Sequence, residues 1–187
     1  RVMLSREFLS ERGYCCGHGC LMCPYIPKHI EGNTVMEKNI LIVSALEVET
    51  QGKLEDWDVI YTGVGKVNAT MTLVDRLTDY NYVKPDLVIN YGTAGSRKIK
   101  KKTLVDCTKF VQRDMDVTGL GFMRGETPFE KEPPLIIETN SPFNPIGRNA
   151  TCGTGDCFVE DKSQYYGEVV DMEAYALAKV CYNYDIP

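Results

Sequence analysis

Three short apolar runs constrain this chain's fold more than anything else in it. They are Ile40-Leu41-Ile42-Val43, Val59-Ile60-Tyr61-Thr62 and Leu87-Val88-Ile89-Asn90, and the last two break off into Gly63-Val64-Gly65-Lys66 and Gly92-Thr93-Ala94-Gly95. A four-residue apolar run without alternation predicts a strand covered on both faces, as in a parallel sheet flanked by helices. Val67, Met71, Val74 and Leu77 recur at helical spacing over 66–80, and residues 171–184 predict a second helix. Further strands are expected at Leu104-Val105, Phe110-Val111 and Leu135-Ile136-Ile137, and a short helix at 5–13. Strands alternating with helices define an α/β layered domain with a parallel or mixed sheet, whose ligands sit at the carboxyl ends of the strands. Both glycine-rich turns fall at such ends, which makes them candidate binding loops.

Composition narrows the function classes. The 187 residues carry a net charge of −5, which argues against a nucleic-acid partner. Apolar stretches fall well short of the roughly 18 residues a membrane span needs. The one basic run, Arg97-Lys98-Ile99-Lys100-Lys101-Lys102, reads as a solvated loop. No secretory leader precedes the cysteines, so a cytoplasmic, reducing setting is expected. The sequence opens on Arg1; Met3 is the expected start, with Arg1 and Val2 not native.

Five segments carry chemistry: Ser44-Ala45-Leu46-Glu47-Val48-Glu49, Thr62-Gly63-Val64-Gly65-Lys66, Asn90-Tyr91-Gly92-Thr93-Ala94-Gly95, Thr154-Gly155-Asp156-Cys157-Phe158-Val159 and Val170-Asp171-Met172-Glu173-Ala174. Singly each is weak. Glu47 and Glu49 read alone as solvated charges, and Gly63-x-Gly65 lacks the third glycine of a dinucleotide loop. In this order, and with a final helix running into Val180-Cys181-x-Asn183-x-x-x-Pro187, residues 39–187 resemble the 5′-methylthioadenosine/S-adenosylhomocysteine nucleosidases of the purine nucleoside phosphorylase superfamily.

The resemblance implies a three-layer nucleoside phosphorylase-like α/β fold with a central mixed sheet, lacking its last strand and helix. It implies hydrolysis of an N-glycosidic bond with release of adenine. Glu49 falls on the glutamate that activates water; Thr93, Ala94 and Gly95 lie beside ribose and base. Phe158 falls on the residue that stacks on the purine, and Val159 on the one whose backbone reads its edge. Met172 and Glu173 fall on the pair lining the ribose, Glu173 accepting from its hydroxyls. Asp114 and Asp116 match a stretch with a supporting role near the sugar pocket. Breaking such a bond passes through a sugar cation, which calls for nearby carboxylate and a base for water; Glu49 and Glu173 could supply both. Lys66-Val67 after Gly65, and no arginine within 44–52, favour water over phosphate as nucleophile. The resemblance also implies a homodimer. Its general acid, a Ser-Asp pair, would follow Pro187. Either a longer chain supplies it, which is the expectation, or the protein binds a nucleoside as a scaffold. A nucleosidase for another purine nucleoside is the nearest enzymatic alternative.

Cys15-Cys16-Gly17-His18-Gly19-Cys20-Leu21-Met22-Cys23 sets four thiols and an imidazole in nine residues. Thiolates at this density suit a structural zinc held by Cys15, Cys16, Cys20 and Cys23, with His18 as a further donor; an iron–sulfur cluster is the second reading and reduced thiols the third. The string from Arg12 to Tyr25 also resembles a small cysteine-rich family without assigned activity. The division expected is thus 1–36, a cysteine-rich appendage, and 37–187, the catalytic domain.

Overall fold

The structure, a computed structural model, describes residues 5–26, 28–36, 38–139, 144–160 and 166–187. The expected start at Met3 lies outside them. The chain divides into two compact units: Arg1–Asn39 with Val83–Pro85, and Ile40–Tyr82 with Asp86–Pro187.

In the first unit, helix α1 (Arg6–Glu11) starts where the Ser5 hydroxyl accepts from the Phe8 N–H at 3.2 Å. Beyond α1 the unit is a series of turns tied by a few backbone bonds, among them Cys15 N–H to Asn33 O and Ile26 N–H to Val35 O. Cys15, Cys23 and Tyr25 form its buried cluster, with Cys20 against them; Leu9 and Pro24 are buried as well, and the Tyr25 hydroxyl donates to the Leu9 carbonyl.

Among the described residues the second unit carries two sheets. Strands β1 (Ile40–Ser44), β2 (Asp58–Tyr61) and β3 (Leu87–Asn90) form a parallel sheet in the order β2-β1-β3. Strands β4 (Cys107–Gln112), β5 (Ile137–Glu138), β6 (Ala150–Thr154) and β7 (Val169–Asp171) form the other in the order β5-β4-β6-β7, parallel except for β5. Gly95 and Val170 exchange both backbone bonds and stitch the two together. The mixed sheet is therefore built in two parts.

Helix α3 (Lys66–Thr78) covers the first sheet, and α4 (Ala174–Asn183) packs on both. Leu41, Val43, Ala69, Leu73, Ala176, Leu177 and Val180 make the larger core, while Tyr175 and Ala178 turn toward Phe110 and Ile137 of the second sheet. Burial on two sides explains why α4 is apolar almost all round. Leu73 is fully buried, so Leu73→Ala costs about 2–5 kcal/mol.

Three expectations need correcting. On α3 the core face runs through Ala69 and Leu73, with Val74 and Leu77 of the expected set packed beside them, while Val67 and Met71 are 68% and 60% exposed. Leu104-Val105 is loop, and β4 begins at Cys107. Of Leu135–Ile137 only Ile137 is in a strand.

Candidate active site

Six parallel strands end on one rim of the second unit, and each delivers a residue or loop to it. After β1 the chain turns into α2 (Glu47–Thr50), four residues long, which carries Glu49. Glu49 Oε2 accepts from the Leu46 N–H and the Ser44 hydroxyl, both at 3.2 Å. Its Oε1 accepts from the Thr93 N–H at 2.8 Å and the Thr93 hydroxyl at 2.7 Å, across from the end of β3. A Cβ on Gly92 would stand 3.3 Å from both carboxylate oxygens, so a residue without a side chain brings the Thr93 donors this close. Burial opposes ionisation of Glu49, but the Thr93, Leu46 and Ser44 donors outweigh it and hold its pKa below the usual carboxylate value.

Glu173 leaves β7 as the N-cap of α4 and is half-buried. Its Oε1 accepts from the Gly65 N–H at 2.8 Å, and the Met172 N–H is a second donor to the carboxylate. Burial, with the negative charges of Asp171 and Glu49 added, pushes its pKa up against those donors. Gly65 makes the approach with φ +97°, a conformation that strains any side-chain-bearing residue. Asp171 is the working cap of α4: its Oδ2 accepts from the N–H groups of Glu173 and Ala174, and its Oδ1 from the Thr154 hydroxyl. Thr154, 0% exposed, passes on a bond from the Tyr175 N–H, locking the ends of β6, β7 and α4.

The β4 and β6 ends meet at Lys66. Its Nζ lies 2.7 Å from Asp114 Oδ1, its backbone N–H donates to Asp156 Oδ1, and the Asp156 N–H donates to Asp114 Oδ2. Burial works against the Asp114 charge, but Lys66 and the Asp156 N–H hold its pKa down. Arg113, 3% exposed, donates to the carbonyls of Gly155 and Cys157, so the segment leading to Phe158 hangs on a buried guanidinium.

The structure thus brings Glu49 and Thr93 into contact, sets Gly95 against Val170 two residues before Met172, and sets Glu173 on Gly65. Ala94 and Gly95 are exposed at the rim, Val159 and Met172 half-buried, and Phe158 is 81% exposed, its ring free to meet a ligand face. Asp114 joins the Lys66 cluster; Asp116 does not, accepting instead from the Thr118 N–H and hydroxyl. Sequence reasoning placed Ser44, Lys66, Thr154, Asp156 and Asp171 in its motif segments without assigning their partners, and passed over Arg113. Asp171, three residues before an apolar helix, carried a capping signal; the others had none.

The cysteines of the first unit come together as pairs. Cys15 and Cys23 sulfurs lie 3.7 Å apart, Cys16 and Cys20 sulfurs 3.4 Å. Hydrogen bonds from the His18 backbone, then from Cys20 and the His18 ring, lower the Cys16 thiol to about 6, and that contact raises the pKa of His18, which disfavours the neutral ring a metal needs. Among the described residues no group of three or more His, Cys, Asp or Glu is arranged to hold a metal ion. No helix among them is long and apolar enough to cross a membrane.

Comparison with known proteins gives a consistent answer. The profile of the phosphorylase superfamily matches residues 50–187, beginning one residue after Glu49. A 5′-methylthioadenosine/S-adenosylhomocysteine nucleosidase of Haemophilus ducreyi is 32% identical over 179 residues, spanning 82% of this chain and 75% of that one. Among solved structures, a mutant Helicobacter pylori MTAN with 5′-methylthioadenosine in its active site superposes with a TM-score of 0.65 at 23% identity, over 81% of this chain and 82% of the other. Futalosine hydrolase of the same organism superposes at 0.68, also at 23% identity, over 80% and 81%. At that identity the two structures speak for the fold.

Proposed function

The chain belongs to the 5′-methylthioadenosine/S-adenosylhomocysteine nucleosidases of the phosphorylase superfamily, and we propose that it hydrolyses the N-glycosidic bond of such nucleosides, releasing adenine. The observation that carries the reading is the pair of carboxylates, Glu49 and Glu173, with opposed pKa shifts on one rim of strand ends. In this reading Glu49 orients the attacking water and takes its proton as the C1′–O bond forms and the C1′–N bond breaks, the pair of electrons leaving on adenine, which takes up a proton from water. Glu173 accepts from the ribose hydroxyls and faces the developing sugar cation. Phe158 stacks on the base, Val159 reads its edge through the backbone, and Thr93, Ala94, Gly95 and Met172 line the sugar. Water rather than phosphate is the nucleophile: segment 44–52 offers an anion no arginine, and Arg113 is spent on the carbonyls of Gly155 and Cys157.

The full-length native protein, incubated with methylthioadenosine and with S-adenosylhomocysteine, is expected to release adenine from both, followed by chromatography. No release from either sinks the reading. The likeness to futalosine hydrolase makes futalosine the second substrate to try; preferential cleavage there would move the specificity and keep the chemistry.

We further propose a cytoplasmic homodimer. Leu120, Met123 and Phe129, 75%, 61% and 93% exposed on one loop region, support the association, and light scattering of the purified protein checks it. For the first unit we propose structural zinc on Cys15, Cys16, Cys20 and Cys23. A segment this small builds too little core to hold itself, and sulfurs on one zinc at 2.3 Å bonds stand about 3.8 Å apart, near the two separations seen. The ion would have to draw the two pairs together. Metal analysis of the reduced protein is expected to find zinc; finding neither zinc nor iron leaves two thiol pairs.

A further inference from the structure

Lys66 is oddly sited. It is the first residue of α3, where the unpaired N–H groups give the helix a partial positive charge and a cation is unfavourable. Its side chain is also the best shielded of the described ion-pairing cations, at 16% exposure against Asp114 at 21%. Gly65, the N-cap, has no side chain to cap the helix. Asp156 does so from another segment, its Oδ1 accepting the Lys66 N–H at 2.8 Å while its Oδ2 lies 3.7 Å from the Lys66 ammonium. Asp114 accepts the ammonium on one oxygen and the Asp156 N–H on the other. Two carboxylates, 48 and 90 residues away in sequence, thus share one ammonium at a helix start.

The neighbouring peptide gives this cluster its reach. The Gly65 N–H donates to Glu173 and the Lys66 N–H to Asp156, so consecutive donors of one turn hold two different segments. Asp156 leads by two residues to Phe158, and Glu173 is the carboxylate assigned to the ribose. The spacing between the base side and the sugar side of the pocket is therefore set through a single step of backbone.

We propose that Lys66 is a positioning residue for the nucleoside pocket: its ammonium neutralises Asp114 and Asp156 and so holds the segment 156–159 in register with Glu173. The proposal rests on the nucleosidase reading above. A compact ammonium with three donors suits carboxylates arriving from different directions better than a planar guanidinium does. Without it, Asp114 and Asp156 face each other uncompensated, the 156–159 segment moves off the helix start, and Phe158 leaves its alignment while Glu49 keeps its own donors.

The test compares wild type, Lys66→Met, Lys66→Arg and the double variant Lys66→Met/Asp114→Asn. Lys66→Met is expected to lose on the order of 100-fold in kcat/KM for methylthioadenosine, carried mostly by KM. Lys66→Arg keeps the charge and the fold and loses less. The double variant removes the repulsion with the cation and is expected to recover roughly tenfold of the loss. An unchanged KM in Lys66→Met overturns the proposal, as does a double variant worse than either single one, which would mark mere support of α3. Titrating the same proteins with adenine by calorimetry separates the two claims. If wild type binds adenine but releases none from nucleoside, the enzymatic reading falls while the pattern of affinities still decides on Lys66. If wild type binds no adenine, both fall.

Discussion

Glu49 and Glu173 occupy equivalent places in the two sheets, each just past the carboxyl end of a parallel strand and each half-buried, yet their charges are managed in opposite ways. Burial raises both. At Glu49 four donors reach two oxygens and reverse the effect; at Glu173 the N–H groups of Gly65 and Met172 stand against burial and two negative neighbours, and the pKa rises. The lesson is that donor supply, rather than depth, separates the roles of paired carboxylates. The two also differ in preparedness. Each carboxylate oxygen has room for about two donors. Glu49 has all four places filled, so a water can be bound there only if a donor turns away; the hydroxyls of Thr93 and Ser44 are the two that rotate, and of these Thr93 is the exposed one. Glu173, with the Gly65 and Met172 N–H groups as its donors, keeps acceptor capacity open, as its proposed role toward ribose hydroxyls requires.

The largest effect expected from breaking this contrast is at Glu49. Glu49→Gln removes the proton acceptor while keeping the shape, and adenine release should fall by about 10²–10⁴-fold, with kcat rather than KM carrying the loss. Glu173→Gln should cost less, about 10–100-fold in kcat/KM, as expected for hydrogen bonds to a charged acceptor. A substrate lacking the 2′-hydroxyl should show a smaller penalty from Glu173→Gln than the parent nucleoside does. Equal losses for both substrates would detach Glu173 from the sugar.

How much of this was legible in the sequence divides along similar lines. Strands β1 and β3 could be read from the apolar runs Ile40–Val43 and Leu87–Ile89, but only β1 is buried as expected; β3 is partly covered at Leu87 and Val88 and exposed at Ile89 and Asn90. Strand β6, Ala150-Thr151-Cys152-Gly153-Thr154, could not: it lies between β4 and β7, where close packing favours small residues, and small residues read as loop. The roles of Glu49, Phe158 and Glu173 are assigned by resemblance, since a carboxylate after a strand looks like any solvated charge. Their partners were out of reach, because Glu49 meets Thr93 across 44 residues and Gly65 meets Glu173 across 108, separations that only the strand order brings together.

The finest probe of the contrast is Thr93→Val, which keeps the shape of the side chain and deletes one of Glu49's four donors. The backbone N–H of Thr93 remains, so at neutral pH the rate should change by less than about tenfold, near the net worth of a single hydrogen bond. The pH dependence is more telling. In the wild type the donors hold the Glu49 pKa below its ordinary value, so the stability this group contributes is present above the unfolded-state pKa and is lost as pH falls through the lower, folded one. Losing the Thr93 hydroxyl raises the folded pKa toward the unfolded one. The acid limb of the kcat/KM profile, and the acid limit of thermal stability, should therefore both move to higher pH in Thr93→Val. Glu173→Gln should leave the acid limb due to Glu49 in place or shift it slightly lower, because removing a neighbouring negative charge makes Glu49 easier to ionise. If Thr93→Val left the acid limb unmoved, Glu49 would not be the group whose ionisation the reaction needs, and the division of labour between the two carboxylates would have to be reversed.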